Sequence, residues 1–249
     1  MSEKLQRRIF VFWTGDNEMS PARAQSLQKL QVSRCQVILV TRQNIDRWIL
    51  QDAPLHPAFN YLSAVHRADY LRSYFMHHYG SGYSDVKGAP TSWEPAFKTL
   101  ESSKAFGIGY PEVSPKGIAH IHRHQIAGRV YFGAHPASKL MNHIRYRQMR
   151  FAWRSMIGNG AYIFKPKTTL TQEWLETVEA RLDILFPLLR EFPATHPRAK
   201  VGDINEDGSP SRYPVPWAFL CADVLHPLVY RYRDQILQGV PTPDLKNYL

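Results

Sequence analysis

Asp69 and Arg72 are charged residues within an otherwise apolar helical pattern. At about 100° per residue, Arg72 falls near the middle of the apolar face of the predicted helix and Asp69 at its edge. A guanidinium in an apolar setting costs several kcal/mol unless it is paired, and a residue three positions earlier is within reach. Two interpretations remain open: an ion pair that fixes the helix to a sheet, or a pair that extends into a pocket and binds hydroxyls or phosphate.

A second carboxylate follows the same helix. Gly80 and Gly82 lead into a short predicted strand over 83–87, which contains Asp85 and, two positions later, Lys87. A carboxylate in a strand directly after a helix that carries Asp69 and Arg72 indicates one shared site.

The elements around these residues alternate between strand and helix. Strands are predicted at 9–13 and 36–40, and helices at 21–31 and 44–50. This order predicts parallel βαβ units, whose ligands bind beyond the carboxyl ends of the strands. Those ends are Trp13-Thr14-Gly15 and Thr41-Arg42.

The sequence pattern predicts both helices and strands in the rest of the chain. We predict a long helix at 58–79, a helix capped by Ser92 that ends near 100, strands at 105–110 and 161–164, helices at 145–155 and 169–189, a loop at 191–216, and two terminal helices at 217–225 and 227–238. In the long helix, His66, Tyr70 and His77 are expected opposite the apolar face.

The charge is concentrated in one segment. The 249 residues carry a formal net charge of +10, and the sixty residues from Val113 to Gln172 contain ten Lys or Arg and no Asp or Glu. Such a segment should attract a polyanion: a nucleotide diphosphate, a phosphorylated acceptor, a lipid surface or a nucleic acid. The alternative is a solvated basic face without a specific ligand.

The sequence excludes or disfavours several classes of protein and several kinds of metal site. No uninterrupted apolar run of about 18 residues occurs, and the first residues lack the pattern of a signal peptide. Cys35 and Cys221 are the only cysteines, too few for a disulfide framework or a four-thiolate zinc site. These features predict a cytoplasmic protein. His120, His122 and His124 alternate as metal ligands could, but without a nearby carboxylate they more often form a surface cluster.

The segment 66–85 resembles the signature of the DXD sugar-binding-region glycosyltransferases, which include capsular polysaccharide transferases, fungal Golgi mannosyltransferases and large clostridial toxins. Their pattern is Ser/Ala-Asp-x-x-Arg, a helix, and Gly-Gly-x-Tyr-x-Asp-x-Asp. The matching residues here are Ala68-Asp69-Tyr70-Leu71-Arg72 and Gly80-Ser81-Gly82-Tyr83-Ser84-Asp85. Looser similarity at 9–15 and at 159–166 extends the resemblance over most of the chain from Arg8 to Leu189.

The resemblance implies a GT-A fold, an α/β nucleotide-binding sandwich, and transfer from a nucleoside-diphosphate sugar with retention. It places Trp13 on the nucleobase, Asp69 and Arg72 on the donor sugar, and Asp85 near a metal ion and the diphosphate. Residues expected to bind donor and nucleotide are Phe12, Trp13, Thr14, Gly15, Arg42, Asp69, Arg72, Tyr83, Ser84 and Asp85. Asp85, Arg72 and Lys87 are the candidate catalytic residues, and Asn159, Trp217 and His226 are expected on the acceptor side.

One motif position departs from the family. The second Asp is Lys87, so Asp85 alone remains to bind the Mn²⁺ or Mg²⁺ that the family implies. A carboxylate pair normally holds such a cation against a diphosphate. Lys87 could instead neutralise the leaving diphosphate directly. Substitution of Asp85 by Ala is expected to abolish transfer and to leave the thermal midpoint nearly unchanged.

The sequence therefore predicts a single GT-A domain over 1–249. Its first half, 1–112, would bind the nucleotide sugar, and its basic second half, 113–249, a carbohydrate or glycoconjugate acceptor. Peripheral association with an anionic membrane is a further expectation. The competing hypotheses are a protein that binds nucleic acid or an anionic surface through 113–172, with nucleic acid the less favoured partner, and a degenerate transferase that binds nucleotide sugar without turnover.

Overall fold

A computed structural model describes residues 4–245 and shows a six-stranded mixed sheet with helices on both faces. The predicted α/β class is confirmed. The strands are β1 (Arg8–Trp13), β2 (Gln36–Thr41), β3 (Ser81–Ser84), β4 (Gly107–Pro111), β5 (Val130–Phe132), β6 (His135–Ala137), β7 (Ile157–Phe164) and β8 (Ile236–Gln238). The α-helices are α1 (Pro21–Lys29), α2 (Ala64–His78), α3 (Glu94–Glu101), α4 (Lys139–Phe151), α5 (Thr169–Glu191) and α6 (Ala222–Arg231).

The strand order in the main sheet is β2-β1-β3-β7-β4-β8, and β5 and β6 form a separate hairpin. β1 pairs in parallel with both β2 and β3, as the βαβ pattern predicts. β7 runs antiparallel to its neighbours β3 and β4, and β8 returns parallel to β4. β7 therefore brings residues of the basic half of the chain into the middle of the sheet.

The helix that carries Asp69 and Arg72 is shorter than predicted. Pro57–Tyr61 is a 3₁₀ turn, and α2 begins only at Ala64, after Ser63, whose side chain accepts a hydrogen bond from the amide of His66. Capping by Ser63 fixes this start, because the serine oxygen satisfies an amide that lacks a partner within the helix.

Both sides of α2 are buried, and this corrects the expected placement of two residues. His66 and Tyr70, predicted opposite the apolar face, have no exposed surface. The Tyr70 hydroxyl donates to Glu179 of α5, and the His66 ring bonds the hydroxyl of Tyr213. A helix enclosed between a sheet and a second helix needs polar partners on its outer side, and these partners lie far along the chain.

Shorter elements also differ from the predictions. Residues 45–48 form a 3₁₀ turn where a short helix is predicted, and α4 begins six residues before the predicted 145 and is followed by the 3₁₀ turn Trp153–Ser155. Residues 217–238 hold one α-helix, α6, where two are predicted. α6 continues through Pro227, and the chain then forms the 3₁₀ turn Arg233–Gln235 and β8.

Two apolar clusters cover the two faces of the sheet. The larger joins α2, α5 and α6 to one face, with Phe75, Trp174 and Leu225 fully buried. The smaller packs Trp93 and Phe97 against the other face. Within residues 4–245, no helix is both long enough and apolar enough to cross a membrane.

Candidate functional site

A cleft of about 970 Å³ opens where β1 and β3 end and where β7 passes beside them. Its walls come from both halves of the chain. It contains most of the residues that the sequence singles out: Phe12, Trp13, Thr14, Gly15, Asp69, Arg72, Tyr83, Asp85, Lys87, Asn159, Trp217 and His226. Residues far apart in sequence thus meet in one opening.

The end of β1 forms one wall of the cleft. The Trp13 ring is half-buried and is held by a 2.8 Å hydrogen bond from its Nε1 to the carbonyl of Asn17. Phe12 is mostly buried, with its ring stacked on Tyr83 at a centroid distance of 5.5 Å. The hydrogen bond to Asn17 fixes the half-buried indole beside the cleft at the end of β1.

Arg72 lies at the centre of the site. Its Nη2 lies 3.0 Å from Oδ1 of Asp85 and 3.4 Å from Oδ1 of Asp69. Its Nη1 donates to the carbonyl of Asn159 at 3.2 Å, and the guanidinium lies over the Tyr83 ring, 4.8 Å from its centroid. The side chain is nearly buried, so these partners offset the loss of hydration and fix the plane of the cation.

Asp85 follows β3 and forms ion pairs with two cationic side chains. Its Oδ1 accepts hydrogen bonds from Arg72 and from the Tyr83 hydroxyl at 2.6 Å, and its Oδ2 lies 3.0 Å from Nζ of Lys87. Burial opposes its ionisation, but Arg72 and Lys87 outweigh burial and hold the pKa of Asp85 below its ordinary value. The carboxylate is therefore ionised at neutral pH.

Gly160 of β7 makes room for this carboxylate. The amide of Asp85 donates to the carbonyl of Gly160 at 2.8 Å, and a Cβ at position 160 would lie 3.0 Å from Oδ2 of Asp85. A side chain here would crowd the carboxylate, which would have to shift by a few tenths of an ångström, so glycine favours the close approach.

Asp69 is the more deeply buried carboxylate. Burial raises the pKa of Asp69 to about 6, although Arg72 and a hydrogen bond from Cys221 partly oppose the shift. Burial also raises the pKa of the Cys221 thiol, which therefore stays protonated and donates to Asp69. Asp69 thus changes charge near neutral pH, whereas Asp85 does not.

The residues around Asp85 do not fit a divalent cation. Both oxygens of the carboxylate already contact cationic side chains, and a metal ion bound to either oxygen would lie beside Arg72 or Lys87. Within residues 4–245, no group of three or more His, Cys, Asp or Glu side chains is arranged to hold a metal. His120 and His122 both pack on Tyr146, whereas His124 forms a hydrogen bond with Asp223, so the three alternating histidines do not share one set of contacts.

The acceptor-side candidates reach the cleft from β7 and from the segment around α6. Trp217 lies in a turn before α6, is 44% exposed, and has the guanidinium of Arg198 at 5.8 Å from its ring. His226 is buried within α6, and its Nδ1 accepts a hydrogen bond from the amide of Ala119. Burial lowers the pKa of His226 to about 4, so the ring is neutral at pH 7 and carries its proton on Nε2.

Two residues expected to bind the donor lie outside the cleft. Ser84 is fully buried and donates to the carbonyl of Asp85. Arg42 pairs with Asp16 at 2.5 Å and lines a neighbouring pocket of about 620 Å³. Thr14 borders both spaces, so the second pocket adjoins the cleft at the end of β1.

Cys221 and Glu112 are site residues that the sequence does not reveal. Cys221 receives hydrogen bonds from Arg72 and Asn159, but it falls inside the predicted helix 217–225, where no sequence pattern distinguishes it. Glu112 directly follows β4, and burial raises the pKa of its carboxyl above the ordinary value. Neither residue belongs to a motif, so only their position in space could identify them.

Buried polar atoms without partners converge on the cleft. Thr14 Oγ1, Arg72 Nε, Asn159 Oδ1 and His226 Nε2 have no hydrogen-bond partner within the described residues, and all four residues line the opening. Buried polar groups are normally hydrogen-bonded, so a cluster of unpaired donors and acceptors marks a place for a polar ligand.

Comparisons of the chain with protein-family models, with curated proteins and with solved structures found no match. The resemblance to the DXD transferases therefore rests on the motif residues alone.

Proposed function

We propose that the protein is a GT-A-type glycosyltransferase that moves a sugar from a nucleoside-diphosphate sugar to a hydroxyl group of a carbohydrate or glycoconjugate acceptor. The observation that carries this proposal is the convergence of Asp69, Arg72, Asp85 and Lys87 in one cleft at the ends of β1 and β3. The α/β sheet and the unpaired polar atoms of the cleft support it.

The cations of the cleft would assist departure of the diphosphate. Breaking the anomeric C–O bond builds negative charge on the leaving diphosphate and positive charge on the sugar. Lys87 and Arg72 are fixed by Asp85, so they need no reorganisation as that charge grows. Arg23 and Lys116 also line the cleft and add positive charge around it.

The two carboxylates would have separate tasks. Asp69 would accept hydrogen bonds from hydroxyls of the donor sugar, while Asp85 would hold the two cations in position. Trp13 would stack on the nucleobase, since its indole lines the cleft at the end of β1. Lys87 would perform, without a metal ion, the neutralisation that the second Asp of the family motif serves.

The acceptor would approach from the side formed by Asn159, Trp217 and His226. A half-exposed indole offers an apolar face to a sugar ring. The neutral His226 would donate its Nε2 proton in a hydrogen bond to an acceptor oxygen, since this atom has no other partner among residues 4–245. Retention of configuration is implied by the family resemblance alone.

Nucleotide binding provides the first test. Thermal unfolding is measured with UDP, GDP and dTDP, each with and without Mn²⁺. A ligand at about 100 times its dissociation constant adds about 2.7 kcal/mol to the free energy of unfolding. We expect one nucleotide to stabilise the protein in chelator, and R72Q to lose this response, while R190Q, an exposed change on α5, retains it.

Turnover provides the second test. Hydrolysis of the matching nucleotide sugar is followed by release of the nucleoside diphosphate. Turnover lost in K87Q supports the transferase. Nucleotide binding without any turnover would instead favour the degenerate binding protein, and absence of binding by all three nucleotides would contradict both.

A further inference from the structure

The outward face of α4 carries exposed apolar side chains that nothing in the described chain covers. Leu140 is 68% exposed and Phe151 92% exposed, and Met141 and Ile144 are also largely open to solvent. On a helix, positions 140, 144 and 151 fall within about 40° of one another. They form an apolar stripe about three turns long, and Arg147 lies at its edge between Ile144 and Phe151.

The opposite face of α4 anchors the helix to the protein. Asn142, Tyr146 and Met149 are buried there. Asn142 donates to the carbonyls of Ile121 and Tyr131 at 3.2 and 3.0 Å. Because the buried side chains lie on the opposite face, the apolar stripe points away from the body of the protein and does not contribute to its core.

A basic row runs beside the apolar stripe. Lys139, His143, Arg147 and Arg150 are all exposed and lie on one flank of it. Arg154 is exposed just beyond the helix. This surface belongs to the segment 113–172, which contains no Asp or Glu, so no acidic side chain of the segment neutralises the row.

From this arrangement we propose that α4 binds the surface of an anionic phospholipid bilayer, lying in the plane of the interface. The apolar stripe would enter the boundary between headgroups and acyl chains, and the basic flank would contact lipid phosphates. Nucleic acid would satisfy the basic flank, but it would leave Leu140, Ile144 and Phe151 exposed. A bilayer satisfies both features of this face, and this decides between the two polyanions.

Binding at α4 would bring the membrane close to the cleft. The hydroxyl of Tyr146, on the inner face of α4, lies 3.1 Å from Nε2 of His120, and His120 lines the cleft. One helix thus separates the proposed lipid surface from the proposed acceptor side.

Vesicle co-sedimentation tests the proposal. Full-length protein is incubated with vesicles of phosphatidylcholine alone or with about 30 mol % phosphatidylglycerol. We expect binding only to the anionic vesicles, and a loss of about tenfold or more in the triple variant L140Q/I144Q/F151Q. R147Q/R150Q should weaken binding and reduce its dependence on salt.

A matched control variant distinguishes binding through this surface from nonspecific hydrophobic adsorption. V201Q/I204Q removes exposed apolar side chains elsewhere and should bind like the wild type, and circular dichroism and thermal unfolding verify that every variant folds. Unchanged vesicle binding by the triple variant would overturn the proposal, as would absence of binding to anionic vesicles. Salt-sensitive binding to DNA or RNA in preference to vesicles would also overturn it. Nucleotide-induced stabilisation is measured separately, so the outcome is independent of the glycosyltransferase proposal.

Discussion

The ammonium of Lys87 lies 3.0 Å from Oδ2 of Asp85, so the two residues that flank Val86 form an ion pair instead of a pair of carboxylates. Lys87 thereby brings a positive charge to the place where a DXD motif would recruit one by binding a metal. Because this positive charge belongs to a side chain and not to a bound metal ion, the metal dependence of nucleotide binding can test the role of Lys87.

Nucleotide binding should not depend on a divalent cation. K87Q removes the positive charge and should weaken diphosphate binding about tenfold, equivalent to about 1.4 kcal/mol. K87D restores two carboxylates and should make binding dependent on Mn²⁺. Isothermal titration of wild type and variants, in chelator and in Mn²⁺, checks both outcomes. Chelator-sensitive binding by the wild type would contradict the assigned role of Lys87.

Binding of the donor sugar should strengthen as pH rises through about 6. The pKa of Asp69 is about 6, so its carboxylate becomes a full acceptor for sugar hydroxyls only above that pH. Dissociation constants of the nucleotide sugar, whose diphosphate does not titrate in this range, are measured for the wild type and for D69N. D69N should remove the pH dependence, because it lacks the titrating carboxyl. A pH dependence that persists in D69N would assign the titration to another group.

Removal of Asp85 should reduce stability as well as activity. The sequence alone predicts a nearly unchanged thermal midpoint for D85A, but the structure places Asp85 between Arg72 and Lys87 in a largely buried site. Loss of one partner from a buried ion pair costs about 3–5 kcal/mol, because the remaining charges are left uncompensated. Urea unfolding of D85A and of D85A/K87Q checks this. The double variant should recover part of the loss, and equal stability of all three proteins would show that these charges are solvated.

Acid should destabilise the protein through His226. Its pKa in the folded state is about 4, against 6.5 for an ordinary histidine. The unfolded chain therefore takes up a proton first as pH falls, and stability is lost from pH 6.5 downward to about 4. Relative to H226Q, the wild type should lose about 1.4 kcal/mol per pH unit in this window. The free energy of unfolding is measured by urea denaturation at each pH. If it depended on pH equally in the wild type and in H226Q, His226 would be hydrated in the folded protein.

The sequence identifies the charged residues that meet in the cleft better than it predicts the loops and helix ends around them. Asp69, Arg72 and Asp85 are recognisable because charges in an apolar pattern, or next to a glycine turn, need a special reason. Cys221 carries no such signal: the sequence predicts a helix over 217–225, whereas its contacts depend on the turn that the chain forms at 217–221. The continuation of α6 through Pro227 is likewise set by packing against α5, which outweighs the local preference of proline.

The antiparallel insertion of β7 has a consequence for synthesis of the chain. Until residues 157–164 leave the ribosome, β3 has an unpaired edge and the amide of Asp85 lacks its acceptor on Gly160. A nascent chain that ends near residue 112 therefore exposes a sheet edge open to aggregation, so chaperones or rapid elongation would protect it until the missing strand arrives.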